Sequence, residues 1–260
     1  MFALSGIDCG SPLSYDSITE FSGVITLNSS LSAILFDVDD TLIHLDPPIT
    51  DLFAAACAEH GLSLREEQVA SSLSDALAFI RSDGLRYVGD DDALWLDVLL
   101  SVMIAACGYD DADGGLVRRV WAWVKPRLNN EVYPDVEPAL IALRQRGLTL
   151  AAVTGRINSS AELLDRLGVL AHLDSYTFAG ELRVTKPDPL LYQTALRRIG
   201  VEAQKAVLVG DGPTDMIGAQ AVGILPVLID RRGRRSQLKW RRIEDLRELV
   251  SLVDDAQTGR

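Results

Sequence analysis

The stretch Ala33-Ile34-Leu35-Phe36-Asp37-Val38-Asp39-Asp40-Thr41 decides the fold. Four apolar residues run without alternation and stop at a cluster of acids. A strand with one wet face alternates apolar and polar side chains, whereas a parallel strand buried on both faces does not. The abrupt change to Asp37 and Asp39 marks the carboxyl edge of such a strand, the edge at which α/β sheets collect their ligands.

Beyond residue 130, strand and helix signals alternate to the end of the chain. The pattern predicts a helix over Val136–Gly147, a strand over Leu148–Val153, a helix over Ser159–Leu167 and a short strand over Tyr176–Ala179. It continues with a helix Pro189–Ile199, a strand Ala206–Val209, a helix Thr214–Val222, a strand Leu225–Ile229 and a closing helix Ile243–Val253. Gly147, Gly168 and Gly200 stand where helices stop. Strands separated by helical lengths require right-handed crossovers, which predicts a Rossmann-like α/β fold with a parallel sheet and helices on both faces. Residues 47–129 break the alternation with four helical segments, Pro48–Glu59, Glu66–Ile80, Ala93–Ala106 and Gly115–Leu128. The chain therefore reads as an extension (residues 1–31, with a strand-like Gly23–Leu27), an α/β core (32–46 and 130–260) and an inserted α-helical block (47–129). The acidic runs Asp90–Asp92 and Asp110–Asp113 precede helices and read as caps, since they lack the spacing of a calcium loop.

Composition narrows the function. With 37 acidic residues against 25 Lys plus Arg, the net charge of −12 argues against a nucleic-acid surface, which needs excess cations. No stretch reaches the roughly 18 apolar residues of a membrane span. Cys9, Cys57 and Cys107 are odd in number and scattered, and read as reduced small hydrophobes in a cytoplasmic chain. His44, His60 and His172 are too dispersed to suggest a metal cluster. Arg231-Arg232-Gly233-Arg234-Arg235, with Lys239, Arg241 and Arg242, is the one basic stretch and reads as a solvated loop before the last helix. Trp121 and Trp123 sit two apart on one helix and read as ordinary packing.

Reading only the carboxyl ends of the strands yields a short set of chemically capable residues: Asp37 and Asp39, then Thr154-Gly155-Arg156, Lys186 in a loop, and Asp211 with Asp215. Two carboxylates two residues apart can divide the work of nucleophile and proton carrier. Several acids at one edge repel each other unless a cation intervenes. A Mg²⁺ held by Asp37, Asp211 and Asp215 removes that cost. A hydroxyl and an ammonium, Thr154 and Lys186, suit the oxygens of a phosphoryl group. Arg156 suits a substrate anion and a surface salt bridge equally well.

In this order, these residues resemble the four motifs of the haloacid dehalogenase superfamily, from Asp37-Val38-Asp39-Asp40-Thr41 (DxDxT) through Thr154 and Lys186 to Asp211 and Asp215. The resemblance runs from about Leu31 to Val253 and implies a C1-capped phosphatase fold. It implies that Asp37 forms an aspartyl-phosphate and that Asp39 protonates the leaving oxygen. Mg²⁺ would be held by Asp37, the backbone carbonyl of Asp39 and Asp211, with Asp215 either a further ligand or a partner of the ligands; the helical block would act as the cap, and the substrate would be a small phosphorylated metabolite. Asp39 speaks against a dehalogenase, since a halide leaves without a proton. A phosphomutase of the β-phosphoglucomutase type and a non-catalytic binding module on the same scaffold stay open, as does the choice between monomer and homodimer. Asp40 departs from the Gly of many relatives at a turn requiring positive φ, a conformation that Asp tolerates better than most residues.

Overall fold

The structure is a computed structural model describing residues 30–80, 92–156, 160–233 and 238–258. The expected strand-like Gly23–Leu27 and most of the extension lie outside these residues, as do Cys9, Asp90, Asp91, Ser159, Arg234 and Arg235. The described residues form two compact units, one within Leu45–Asn130 and an α/β unit comprising residues 30–44 and those from Glu131 onward.

In the α/β unit six strands form a parallel sheet: β1 (Ala33–Phe36), β4 (Thr149–Thr154), β5 (Ser175–Phe178), β6 (Ala206–Gly210), β7 (Leu225–Ile229) and β8 (Arg242–Ile243). Their order is β5-β4-β1-β6-β7-β8, with Phe36 opposite Ala152 on one side and Val209 on the other. The chain runs outward from β1 through β4 to β5 and then returns to β6 on the other side of β1, so the switch point falls between β1 and β6. The unbroken apolar runs now have their reason. Ile34, Phe36, Leu150, Ala152, Val207 and Val209 face one core layer, while Ala33, Leu35, Ala151, Val153, Ala206 and Leu208 face the other.

Helices α5 (Val136–Gln145) and α10 (Leu246–Thr258) cover the first layer, through Val136, Leu140 and Leu143 and through Leu246, Leu249 and Val253. The second is covered by α8 (Pro189–Ile199) and α9 (Pro213–Ala221), through Leu191, Tyr192 and Ala195 and through Met216 and Ala219. Two shorter helices, α6 (Ala161–Arg166) and α7 (Ala179–Leu182), complete the unit.

Ile243 is not the first residue of a helix as its pattern predicts. It pairs with Ile229 as the edge strand β8. The helix starts at Leu246 because Asp245 accepts from the backbone N–H groups of Arg247 (2.8 Å) and Glu248 (3.3 Å), a cap that the apolar pattern outweighs in the sequence.

Close packing on the second layer depends on Gly218. A Cβ there would lie 2.1 Å from Cε2 of Tyr192, a fully buried ring whose hydroxyl donates to the Thr214 carbonyl at 3.1 Å. In an exposed helix Gly→Ala stabilises by about 1 kcal/mol. Here overlap outweighs that gain, and Gly218→Ala is expected to lose about 2 kcal/mol in urea denaturation.

The other unit holds α1 (Ile49–Glu59), α2 (Glu66–Phe79), α3 (Asp92–Ala106) and α4 (Gly115–Val124) around Phe53, Ala56, Cys57, Val69, Leu100, Met103 and Val120. Cys57 is buried and Cys107 half-buried, both as free thiols, and burial pushes the Cys57 thiol up to about 11. Asp111 accepts from Leu116 and Val117 N–H, both at 2.8 Å, and Asp113 from Gly115 N–H at 2.8 Å. Those two acids are thus helix caps, as their position predicts. Arg127 stacks over Trp123 at 3.9 Å, and both tryptophans pack against this core. The chain leaves and re-enters the α/β unit through β2 (Ile43–Leu45) and β3 (Asn130–Val132), which pair with each other. Among the described residues no helix is long and apolar enough to cross a membrane.

Candidate active site

Asp37 continues directly from β1, with its N–H donating to Val209 O of β6 at 2.8 Å. A single tight turn follows. Leu42 and Ile43 N–H both donate to Val38 O (2.8 and 3.0 Å), and Asp40 N–H donates to Ile43 O (2.7 Å). Asp40 takes φ +55°, the left-handed conformation expected of this position. The turn folds Thr41 back, so that its hydroxyl donates to Asp37 Oδ2 at 3.1 Å. Thr41 stands in the DxDxT pattern, but its task as a hydroxyl that orients Asp37 shows only in the folded turn.

The other Asp37 oxygen, Oδ1, accepts from Lys186 Nζ at 2.5 Å, and the same ammonium donates to Asp215 Oδ1 at 2.5 Å. Asp215 sits in the first turn of α9, where its Oδ2 accepts from Gly212 N–H at 3.3 Å. It can fold back there because residue 210 is glycine. A Cβ at Gly210 would lie 2.6 Å from Asp215 Cγ. Gly210→Ala is therefore expected to expel the Asp215 carboxylate and to cost about 2 kcal/mol in urea denaturation, together with most of the activity proposed below.

Asp37, Asp211 and Asp215 each offer an oxygen within 4.8 Å of the others. Burial pushes the Asp37 carboxyl well above its usual range, and Asp215, Asp211 and Asp39 push it further against the pull of Lys186. Burial would lower Lys186, but Asp215 and Asp37 outweigh it and hold the ammonium well above its ordinary range. Asp37 and Asp215 thus share one ammonium, with Asp211 beside them. This hard oxygen set fits a divalent cation such as Mg²⁺. The Asp39 carboxylate is directed elsewhere, with both of its oxygens on Arg156.

Thr154 is buried at the end of β4, and its Oγ1 accepts from Arg156 N–H at 3.2 Å. The structure thus gathers Asp37, Lys186, Asp211 and Asp215 into one cluster. Asp39, Thr154 and Arg156 stand beside it at the ends of β1 and β4.

Within the basic stretch, Arg232, Lys239 and Arg242 are exposed as expected of a solvated loop, and Arg231 alone among the described residues of Arg231–Arg235 departs from that reading. Arg231 lies over the Tyr133 ring at 3.8 Å and is almost wholly buried. Its guanidinium donates twice to Asp135 (2.9 and 3.1 Å) and twice to the Thr41 carbonyl (3.1 and 2.8 Å). Asp135 in turn accepts from Leu246 N–H at 2.7 Å. Arg231 therefore braces the turn that carries Asp39 and Asp40. The local signal is only a cluster of arginines, which more often faces water.

The switch point of the parallel sheet thus carries buried carboxylates joined by one lysine. A family model described as haloacid dehalogenase-like hydrolase matches residues 31–223, and the chain belongs to that family. The glyceraldehyde 3-phosphate phosphatase of Methanopyrus kandleri is 33% identical over 245 residues, covering 86% of this chain and 97% of that protein. The phosphoglycolate phosphatase of Rhodospirillum rubrum is 32% identical over 207 residues, 76% of this chain and 78% of its own. The solved HAD phosphatase from Thermococcus onnurineus superposes with a TM-score of 0.56 at 27% identity, over 86% of this chain and 98% of that one.

Proposed function

We propose that the chain is a Mg²⁺-dependent, cytoplasmic phosphatase that hydrolyses a small phosphorylated metabolite through an aspartyl-phosphate. The observation that carries this reading is Asp37, fixed at the switch point by Thr41 on one oxygen and Lys186 on the other, with Asp39 two residues on. The phosphatase relatives of similar length support it.

Asp37 attacks phosphorus, and the ester oxygen departs with the proton of Asp39. Asp39, now a carboxylate, takes a proton from the water that attacks the aspartyl-phosphate. Inorganic phosphate leaves and both carboxyl groups are restored. Thr154 and Lys186 hold phosphoryl oxygens and balance the charge that builds on them. Mg²⁺, held by Asp37, the Asp39 carbonyl, Asp211 and Asp215, would supply charge neutralisation at the phosphate. Residues 47–129 would serve as the family's helical C1-type cap.

Phosphate release from p-nitrophenyl phosphate tests the reading. Chelation with EDTA is expected to remove activity, and added Mg²⁺ to restore it. Activity that survives exhaustive chelation removes the metal from the mechanism. Transfer of phosphate between positions of a bisphosphorylated sugar, with little free phosphate, would make the enzyme a mutase instead.

A further inference from the structure

Arg156 is the charged residue of the site that the mechanism above leaves without a task. Its backbone is held at both ends, since its N–H donates to Thr154 Oγ1 at 3.2 Å and its carbonyl accepts from Gly180 N–H at 3.1 Å. The guanidinium forks onto Asp39, Nε to Oδ2 at 2.8 Å and Nη2 to Oδ1 at 2.5 Å. This is the two-pronged geometry in which arginine recognises a carboxylate. The pair is open to water, with 31% of the Arg156 side chain and 49% of that of Asp39 exposed. An ion pair of such exposure contributes at most about 1 kcal/mol, so separating its partners costs little. In contrast, the backbone anchoring keeps Arg156 itself next to Thr154 whichever carboxylate its guanidinium carries.

Asp39 has to approach the leaving oxygen to act, and a carboxylate with both oxygens on one guanidinium is turned away from that position. When it does, the Arg156 fork is open to another carboxylate. The present occupant shows the chemistry that fits: a planar carboxylate.

Resting on the phosphatase reading, we infer that Arg156 is the specificity residue for a carboxylate on the substrate. The substrate class is then phosphate monoesters of short hydroxy acids, with the carboxylate close enough to the ester oxygen for Arg156 and Asp37 to be engaged together. Substrate binding exchanges one carboxylate for another on the guanidinium and sets Asp39 free to face the leaving oxygen. Neutral esters of the same size bring no carboxylate to the fork and forgo that contact.

The test is a matched pair of esters, 2-phosphoglycolate and its neutral amide 2-phosphoglycolamide, with the Mg²⁺-loaded enzyme. Loss of a charged hydrogen-bonded pair is worth about 10- to 100-fold. The wild type is expected to favour the acid by about that factor in kcat/KM. Arg156→Gln is expected to remove the preference, mainly through KM on the acid, and Arg156→Lys, which keeps the charge but not the fork, to restore part of it. A wild type that does not distinguish acid from amide overturns the inference without any variant. Equal losses on both esters in Arg156→Gln also overturn it, by reducing Arg156 to an orienting partner of Asp39. Calorimetric binding of both ligands to Asp37→Asn, with and without Arg156→Gln, reads the same preference with turnover removed. Equal affinities there end the inference, whereas absence of phosphate release from every ester ends the phosphatase reading instead.

Discussion

Asp37→Asn is expected to lower phosphate release from p-nitrophenyl phosphate by about 10⁴-fold or more, while the folded protein resists urea at least as well as the wild type. The two halves of this result have one cause. An amide occupies the same space and still accepts from Thr41, but it offers phosphorus no anionic oxygen. It also removes a charge from a place where burial and three neighbouring acids disfavour charge. Loss of activity accompanied by loss of structure would mean that Asp37 holds the fold together. Retained activity would move the nucleophile elsewhere.

The second large effect is expected from Lys186→Met. Asp37 and Asp215 are only 6% and 3% exposed, and both have an oxygen 2.5 Å from the Lys186 ammonium. Removing the ammonium leaves two buried carboxylates facing each other, which costs about 3–5 kcal/mol in a urea titration. It also removes a cation from the phosphoryl site, worth about 10³-fold in kcat. Because the penalty lies in the orphaned charges, the double variant Lys186→Met with Asp215→Asn is expected to regain more than about 1 kcal/mol of the loss. A single variant as stable as the wild type would show that water already reaches the cluster.

The sheet is legible in the sequence because its strands are wet on neither face. A run such as Ile34-Leu35-Phe36 ending in Asp37 fits little besides a buried parallel strand at its carboxyl edge. β8 is hidden by its length, since two residues carry no period and Ile243 extends the apolar stripe of α10. In the site, the acids, Thr154 and Lys186 can be placed because each follows a recognisable strand or loop. Partnerships cannot. Thr41 reaches Asp37 only once the turn closes, and Arg156 suits a substrate anion or a salt bridge until folding sets it on Asp39. Arg231 escapes a sequence reading for a similar reason, because its partners Asp135 and Thr41 lie 96 and 190 residues away along the chain.

That brace bears on how the enzyme comes into being. The ribosome makes every motif residue, from Asp37 to Asp215, before it reaches Arg231, and the matched family pattern itself ends at residue 223. A growing chain therefore holds Asp37 to Asp215 while the turn bearing Asp39 still lacks the anchor that Arg231 gives the Thr41 carbonyl.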